Sequence, residues 1–184
     1  MTGIIPHAAT DETGHFAIPQ LQLGKYAVAV EKLDADYPDM SKQFYSDGKF
    51  ETVFLSARHA AGDVTLRIGP KAGVLMGTVA DAVAGSPLRA CVELIRASEP
   101  NNFLSSSGLI KPNYRLLIPP NAGVLVKMWL DGYKPWYFPG TVDKSESRPV
   151  HLKPGEVVTL DIRLQPGKNA EGSCPMPFGT PIKR

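Results

Sequence analysis

The side chains best suited to chemistry are thinly spread through this 184-residue sequence. His7, His15, His59 and His151 each lack a second histidine ligand at helical spacing. There is no His-x-x-Glu pair to set two zinc-site groups on one helix face, and Cys91 and Cys174 match no zinc spacing. No Gly-x-Ser-x-Gly elbow presents a serine nucleophile, and Ser105-Ser-Ser-Gly108 reads as a solvated loop. No glycine-rich turn follows a strand in the way that cradles phosphates. These readings predict no catalytic residues, no metal and no cofactor, and a protein that is not an enzyme.

Two clusters could instead bind something. Glu31, Asp34, Asp36 and Asp39 gather carboxylates in one short stretch, and calcium takes roughly six to eight oxygens. Lys32, Leu33 and Pro38 interrupt any EF-hand spacing, so an ordinary exposed loop is the plainer reading. The second cluster is aromatic: Trp129, Tyr133, Trp136, Tyr137 and Phe138 include both tryptophans of the chain. Trp129 falls on the outward phase of its strand. Exposed flat rings of this kind stack on sugars, which makes Trp129, Tyr133, Trp136 and Tyr137 candidate ligand-binding residues for a polysaccharide. Against this, large aromatics are mostly buried, and the same rings could fill the rim of a core or pack on a neighbouring domain. The plainer reading leads.

The elements that would hold these residues are strands. Period-two alternation puts Tyr26, Val28 and Val30 on one face, opposite Ala27, Ala29 and Glu31. It recurs at Val64, Leu66 and Ile68, at Val126, Met128 and Leu130, and at Val158, Leu160, Ile162 and Leu164. Helical periodicity is almost absent. Turn-forming sequences separate the strands at Asp11-Glu-Thr-Gly14, Leu23-Gly-Lys25, Ser46-Asp-Gly48, Asp81-Ala-Val-Ala-Gly85, Pro119-Pro-Asn121 and Lys153-Pro-Gly155. Sheets with one apolar and one wet face bury themselves by stacking face to face. Cys91 lies in such a strand and Cys174 in the tail. They could pair in an oxidising compartment, but a buried free thiol at Cys91 is the reading the sequence favours.

An internal repeat organises the strands. Asp63-Val-Thr-Leu-Arg-Ile-Gly-Pro70 matches Thr159-Leu-Asp-Ile-Arg-Leu-Gln-Pro166 in hydrophobic phase, and an offset of 96 relates Val64 to Leu160 and Tyr37 to Tyr133. Phe16-Ala-Ile-Pro19 matches Arg115-Leu-Leu-Ile-Pro119 at an offset of 100. A period of this length is the size of a sandwich domain, not of a solenoid repeat. The second copy shows seven strands, whereas equivalents of its first two strands are missing before Asp11 in the first. The expected domains are therefore an incomplete sandwich over 1–70, a complete one over 71–166 and a flexible tail over 167–184.

Composition narrows the partners. Twenty basic and 18 acidic residues are well mixed, giving a net charge of +2, so no basic stripe suggests nucleic acid. No apolar run approaches the roughly 20 residues that span a bilayer. The first residues, Met-Thr-Gly-Ile-Ile-Pro, carry neither the basic nor the apolar region of a signal peptide.

From Gly73-Val-Leu-Met-Gly-Thr-Val-Ala-Asp81 through Ser86-Pro-Leu-Arg-Ala-Cys-Val92, the sequence resembles the carboxypeptidase regulatory-like domain. Tyr114-Arg-Leu-Leu-Ile-Pro119 and the strand closing at Gly132-Tyr133 continue the likeness. Thr13-Gly-His-Phe16 and Leu23-Gly-Lys-Tyr-Ala-Val-Ala-Val30 resemble the second half of that family's pattern. The resemblance spans about residues 10–166. It implies an all-β fold of tandem Greek-key, transthyretin-like β-sandwiches with seven strands each, the first incomplete. It also implies an extracytoplasmic setting: secreted, periplasmic or on the cell surface. Expected partners are other domains of a larger polypeptide or surface assembly, with Met1 lying inside that longer polypeptide. Three roles follow: a structural or interaction module, a carbohydrate-binding module, or an accessory domain separated from a peptidase.

Overall fold

The computed structural model describes residues 5–39, 44, 50–100, 103–168 and 174, with backbone alone at 103 and 105–109. Apart from two 3-10 turns, Leu33–Ala35 and Lys144–Glu146, every regular element among these residues is a strand. The chain divides into two compact units, 1–29 with 50–67 and 30–49 with 68–184. The segment 30–49, read from sequence as part of the first module, thus groups with the second. The reason lies at Asp36: its carbonyl accepts the Ala72 N–H at 2.8 Å, and its carboxylate accepts from Arg115 with Lys71 3.9 Å away.

Among its described residues the first unit contains one ladder. Strands β1 (Gly24–Val28) and β2 (Glu51–Leu55) run antiparallel, with Gly24 opposite Leu55 and Val28 opposite Glu51. Tyr26 and Val28 are half-buried while Lys25 and Ala27 are exposed, the phase that the alternation requires. Leu55 is buried, and Gly62 passes so close to Val53 that a β-carbon there would lie 2.7 Å from its Cγ1. Asp11 closes its turn by accepting from the Thr13 and His15 amides, each at 2.9 Å, and from the Thr13 hydroxyl at 2.7 Å. The strands expected over Phe16-Ala-Ile-Pro19 and from Asp63 to Ile68 are not formed: no ladder includes them. Alternation supplies an apolar face, but a strand also needs a neighbour to take its backbone hydrogen bonds.

Among the described residues the second unit has nine strands where seven were expected. They are β3 (Gly73–Asp81), β4 (Ala90–Arg96), β5 (Phe103–Ile110), β6 (Asn113–Ile118), β7 (Gly123–Trp129), β8 (Trp136–Tyr137), β9 (Val150–His151), β10 (Val157–Thr159) and β11 (Ile162–Leu164). One sheet places β3 beside antiparallel β6 and beside β10 and β11, which both run parallel to it. The other runs β5-β4-β7, with β8 and β9 along the far edge of β7. Ser105-Ser-Ser-Gly108, expected as a loop, lies inside β5, because pairing with β4 overrides its weak strand propensity. The turn expected at Ser46-Asp-Gly48 lies outside the described residues.

The inner faces of the two sheets share one core. Leu75 and Val79 of β3, Leu116 and Ile118 of β6, and Ile162 and Leu164 of β11 join Val92 and Leu94 of β4 with Val126 and Met128 of β7. The unit is sandwich-like. Its last strand breaks at Leu160-Asp161, which accounts for one of the additional strands. At the break the Leu160 N–H donates to Met76 O at 2.8 Å. The Asp161 carboxylate accepts from the Thr78 amide at 2.9 Å and the Thr78 hydroxyl at 2.7 Å. A side-chain oxygen thereby serves Thr78 in the gap between the two parallel ladders. The Thr78 bonds, with Arg163 nearby, hold the Asp161 carboxyl below the usual carboxylate range.

Candidate functional site

The aromatic cluster sits at the end of β7 and in the chain that returns as β8, and the structure separates its members by role. Trp129 has the outward phase expected of it, yet only 7% of it is exposed. The face is covered because Cys91, its cross-strand partner on β4, is disulfide-bonded to Cys174, and the three residues form a cluster of their own. The free-thiol reading is thereby corrected: Cys174 caps the sheet at this point. Lys127 lies two residues before Trp129 on the same face, with its ammonium 4.6 Å from the indole centroid. That ammonium also approaches Glu93 on β4 at 3.4 Å. The Trp129 indole N–H is buried with no hydrogen-bond partner among the described residues. A ring so enclosed offers no flat surface to a sugar.

Tyr133 is half-buried and its hydroxyl donates to Asp81 at 2.7 Å. Asp81 ends β3 and also accepts from the amides of Val83 and Ala84, at 2.7 and 2.8 Å, so one carboxylate organises the turn. The Ala84 amide, the Tyr133 hydroxyl and the Val83 amide together hold Asp81 below the usual carboxylate range. The same bond pushes the Tyr133 phenol up. Tyr137 is buried opposite Lys127. Tyr133 and Tyr137 therefore serve the scaffold.

Trp136 differs. It stands opposite Met128 and belongs to the core, but it also lines an open recess of about 270 Å³. Lys134, Gly140, Asp161, Arg163 and Gln165 line the same recess. The indole nitrogen lies alongside Gly140, 4.0 Å from where a β-carbon would stand. The recess thus combines part of an apolar ring with a carboxylate, a guanidinium, an ammonium and an amide, groups that hydrogen-bond hydroxyls. Of the four predicted site residues, only Trp136 reaches it. Asp161 and Arg163 were legible as the wet phase of the last strand. Their meeting with Lys134 was not, because it depends on the Lys134 N–H donating to Gln165 O at 2.8 Å.

The acidic stretch does not assemble. Asp36 is engaged by Arg115 and Lys71, and among the described residues no group of three or more His, Cys, Asp or Glu could hold a metal ion. No helix among them is long and apolar enough to cross a membrane. No protein-family model matches this sequence, and no curated protein matches it.

Proposed function

We propose that this chain is a non-catalytic structural and interaction module of a larger exported or cell-surface protein. Its second unit would be a complete transthyretin-like Greek-key sandwich of the carboxypeptidase regulatory-like kind, and its first an incomplete one. The observation that carries the reading is the Cys91–Cys174 bond, which joins the tail to β4. Reducing compartments do not sustain structural disulfides, whereas secreted and periplasmic ones do. Thiol alkylation of the protein from its native source, followed by mass spectrometry, tests it. A blocked Cys91–Cys174 pair in an extracytoplasmic fraction is expected, and two free thiols in the cytosolic fraction would overturn it.

The recess supports a second reading, in which the module binds carbohydrate at Trp136 with Lys134, Asp161, Arg163 and Gln165 as hydrogen-bonding groups. Tryptophan fluorescence titrated with oligosaccharides decides it. A saturable change that Gln165→Ala weakens without altering the fold supports binding; a flat titration across neutral and acidic sugars removes it.

A further inference from the structure

The polar groups around the Trp136 recess are not equally free. Asp161 already commits one carboxylate oxygen, Oδ1, to the Thr78 amide and hydroxyl, which leaves Oδ2 as the oxygen still able to accept. Lys134 and Arg163 line the same recess, and among the described residues neither enters an ion pair or a side-chain hydrogen bond. Trp136 adds a further donor. It is 7% exposed, too little to offer a ring face, and nothing among the described residues accepts its indole N–H. The Trp129 N–H is sealed within the protein, whereas that of Trp136 stands at the recess wall beside Gly140. An N–H on a buried ring that lacks an acceptor is costly, so a ligand oxygen that takes it is favoured.

Backbone hydrogen bonds hold the walls. Lys134 N–H donates to Gln165 O at 2.8 Å and Gly167 N–H to Gly132 O at 2.9 Å, so the chain before β8 lies antiparallel beside the end of β11. The Lys134 stem packs over Gly167, where a β-carbon would come within 2.9 Å of its Cγ. On the other side, the turn from Tyr137 to Thr141 is closed by Tyr137 N–H to Thr141 O and Gly140 N–H to Tyr137 O, each at 2.8 Å. Asp131, Asp143 and Glu146 are close along the chain but do not line the recess. Two cations therefore stand there against one carboxylate, and that carboxylate is half engaged.

We propose that the recess takes a sugar that carries a carboxylate, a uronic acid residue. The inference rests on the carbohydrate reading of the recess and names the class of sugar. Lys134 and Arg163 receive the carboxylate, the planar guanidinium through two parallel N–H donors. The Trp136 N–H and the Gln165 amide donate to ring or hydroxyl oxygens, and Asp161 Oδ2 accepts from a hydroxyl. The volume, about 270 Å³, falls just below the roughly 300 Å³ at which small-ligand sites begin, which suits one sugar ring. The open mouth lets the rest of a chain continue into solvent. A neutral sugar would leave the surplus positive charge unanswered, and an anion without hydroxyls would leave Asp161 nothing to accept.

The test is a nuclear magnetic resonance titration of the oxidised full-length protein, followed at the indole N–H signals of its two tryptophans. The probes are trimers of galacturonate, glucuronate and mannuronate, beside the neutral trimers of galactose, glucose and mannose. A saturable shift of one indole signal is expected with at least one acidic trimer, bound about tenfold or more tightly than its neutral counterpart. Raising the salt from roughly 20 to 500 mM should erode that preference. Lys134→Gln and Arg163→Gln each remove one charge from an exposed side chain and should weaken the acidic trimer about three- to tenfold. A neutral trimer bound as tightly as its acidic counterpart overturns the inference and leaves the carbohydrate reading standing. No shift with any trimer at roughly 10 mM overturns both. Acidic-trimer binding that neither variant weakens overturns the site, and tighter binding of a sulfated neutral trimer overturns the carboxylate.

Discussion

Tyr114 on β6 donates its hydroxyl to the carbonyl oxygen of Leu160 across 2.5 Å, at the point where the strand beside β3 is interrupted. The interruption leaves that carbonyl outside both parallel ladders, and the phenol satisfies it from within the core. Burial pushes the Tyr114 phenol well above its ordinary range, which keeps it a donor. Tyr114→Phe removes the donor and leaves the carbonyl unpaired. A loss of about 1–3 kcal/mol in urea-unfolding free energy is expected. An unchanged midpoint would show that the carbonyl finds another partner.

Gly77 lies against the same break. A β-carbon there would overlap the Leu160 carbonyl, a backbone atom that cannot swing aside, and the φ of +157° is one that other residues rarely adopt. Gly77→Ala should cost at least about 3 kcal/mol, at the severe end of single substitutions. Gly85→Ala, with nothing within 4 Å of its β-carbon but a φ of +70°, isolates the backbone contribution. Thermal melts of the two variants side by side separate collision from backbone strain, and equal losses would argue against the collision.

Acid should weaken the fold from a defined side. Asp81 and Asp161 are both held below the ordinary carboxylate range, so the unfolded chain takes up protons before the folded one does. Stability should be complete above about pH 4 and fall as pH drops through the folded-state values. Asp81→Asn should lower the melting temperature at neutral pH and flatten the acid limb. In the same variant the Tyr133 phenol loses the carboxylate that raises it, so its ultraviolet titration should move back toward about pH 10. A titration that stays put would show that Asp81 is not the cause.

Reduction should loosen the second unit and uncover one indole. The Cys91–Cys174 bond spans 83 residues, and closing a loop of that length is worth about 4.5 kcal/mol through the unfolded state. With reductant, or with Cys174→Ser, the unfolding midpoint should fall and tryptophan emission should shift to the red as Trp129 meets water. Emission that is identical in both redox states would show that the bonded Cys174 is not what covers Trp129.

The strand phases were largely readable from local pattern. Val126 and Met128 face inward, Ile162 and Leu164 do likewise, and Tyr26 and Val28 take the more buried side of β1. Local pattern reports which face a side chain takes, not what lies over that face. Trp129 shows the difference: its outward phase is correct, and it is buried because a residue 45 positions further on, Cys174, returns across the sheet. The stretch from Asp63 shows the converse, a strand-like pattern left without a ladder for want of a partner. Ser105-Ser-Ser-Gly108 reads as loop by composition and becomes strand because β4 offers it an edge. The recess at Trp136 combines residues about 30 positions apart, and nothing in either stretch names the other.

The sulfur bond has a mechanical meaning as well. A pull transmitted along the chain and leaving past Cys174 would enter the sandwich at the first residues of β4, through Cys91, and not at the end of β11. The residues between the two cysteines, which hold most of both sheets, cannot lengthen while the bond is intact. Of the strands of the second unit, only β3 and the turn that leads from it to Cys91 could pay out. Under tension the oxidised module would act as a stop with a short leash, and the reduced module as a spring many times longer.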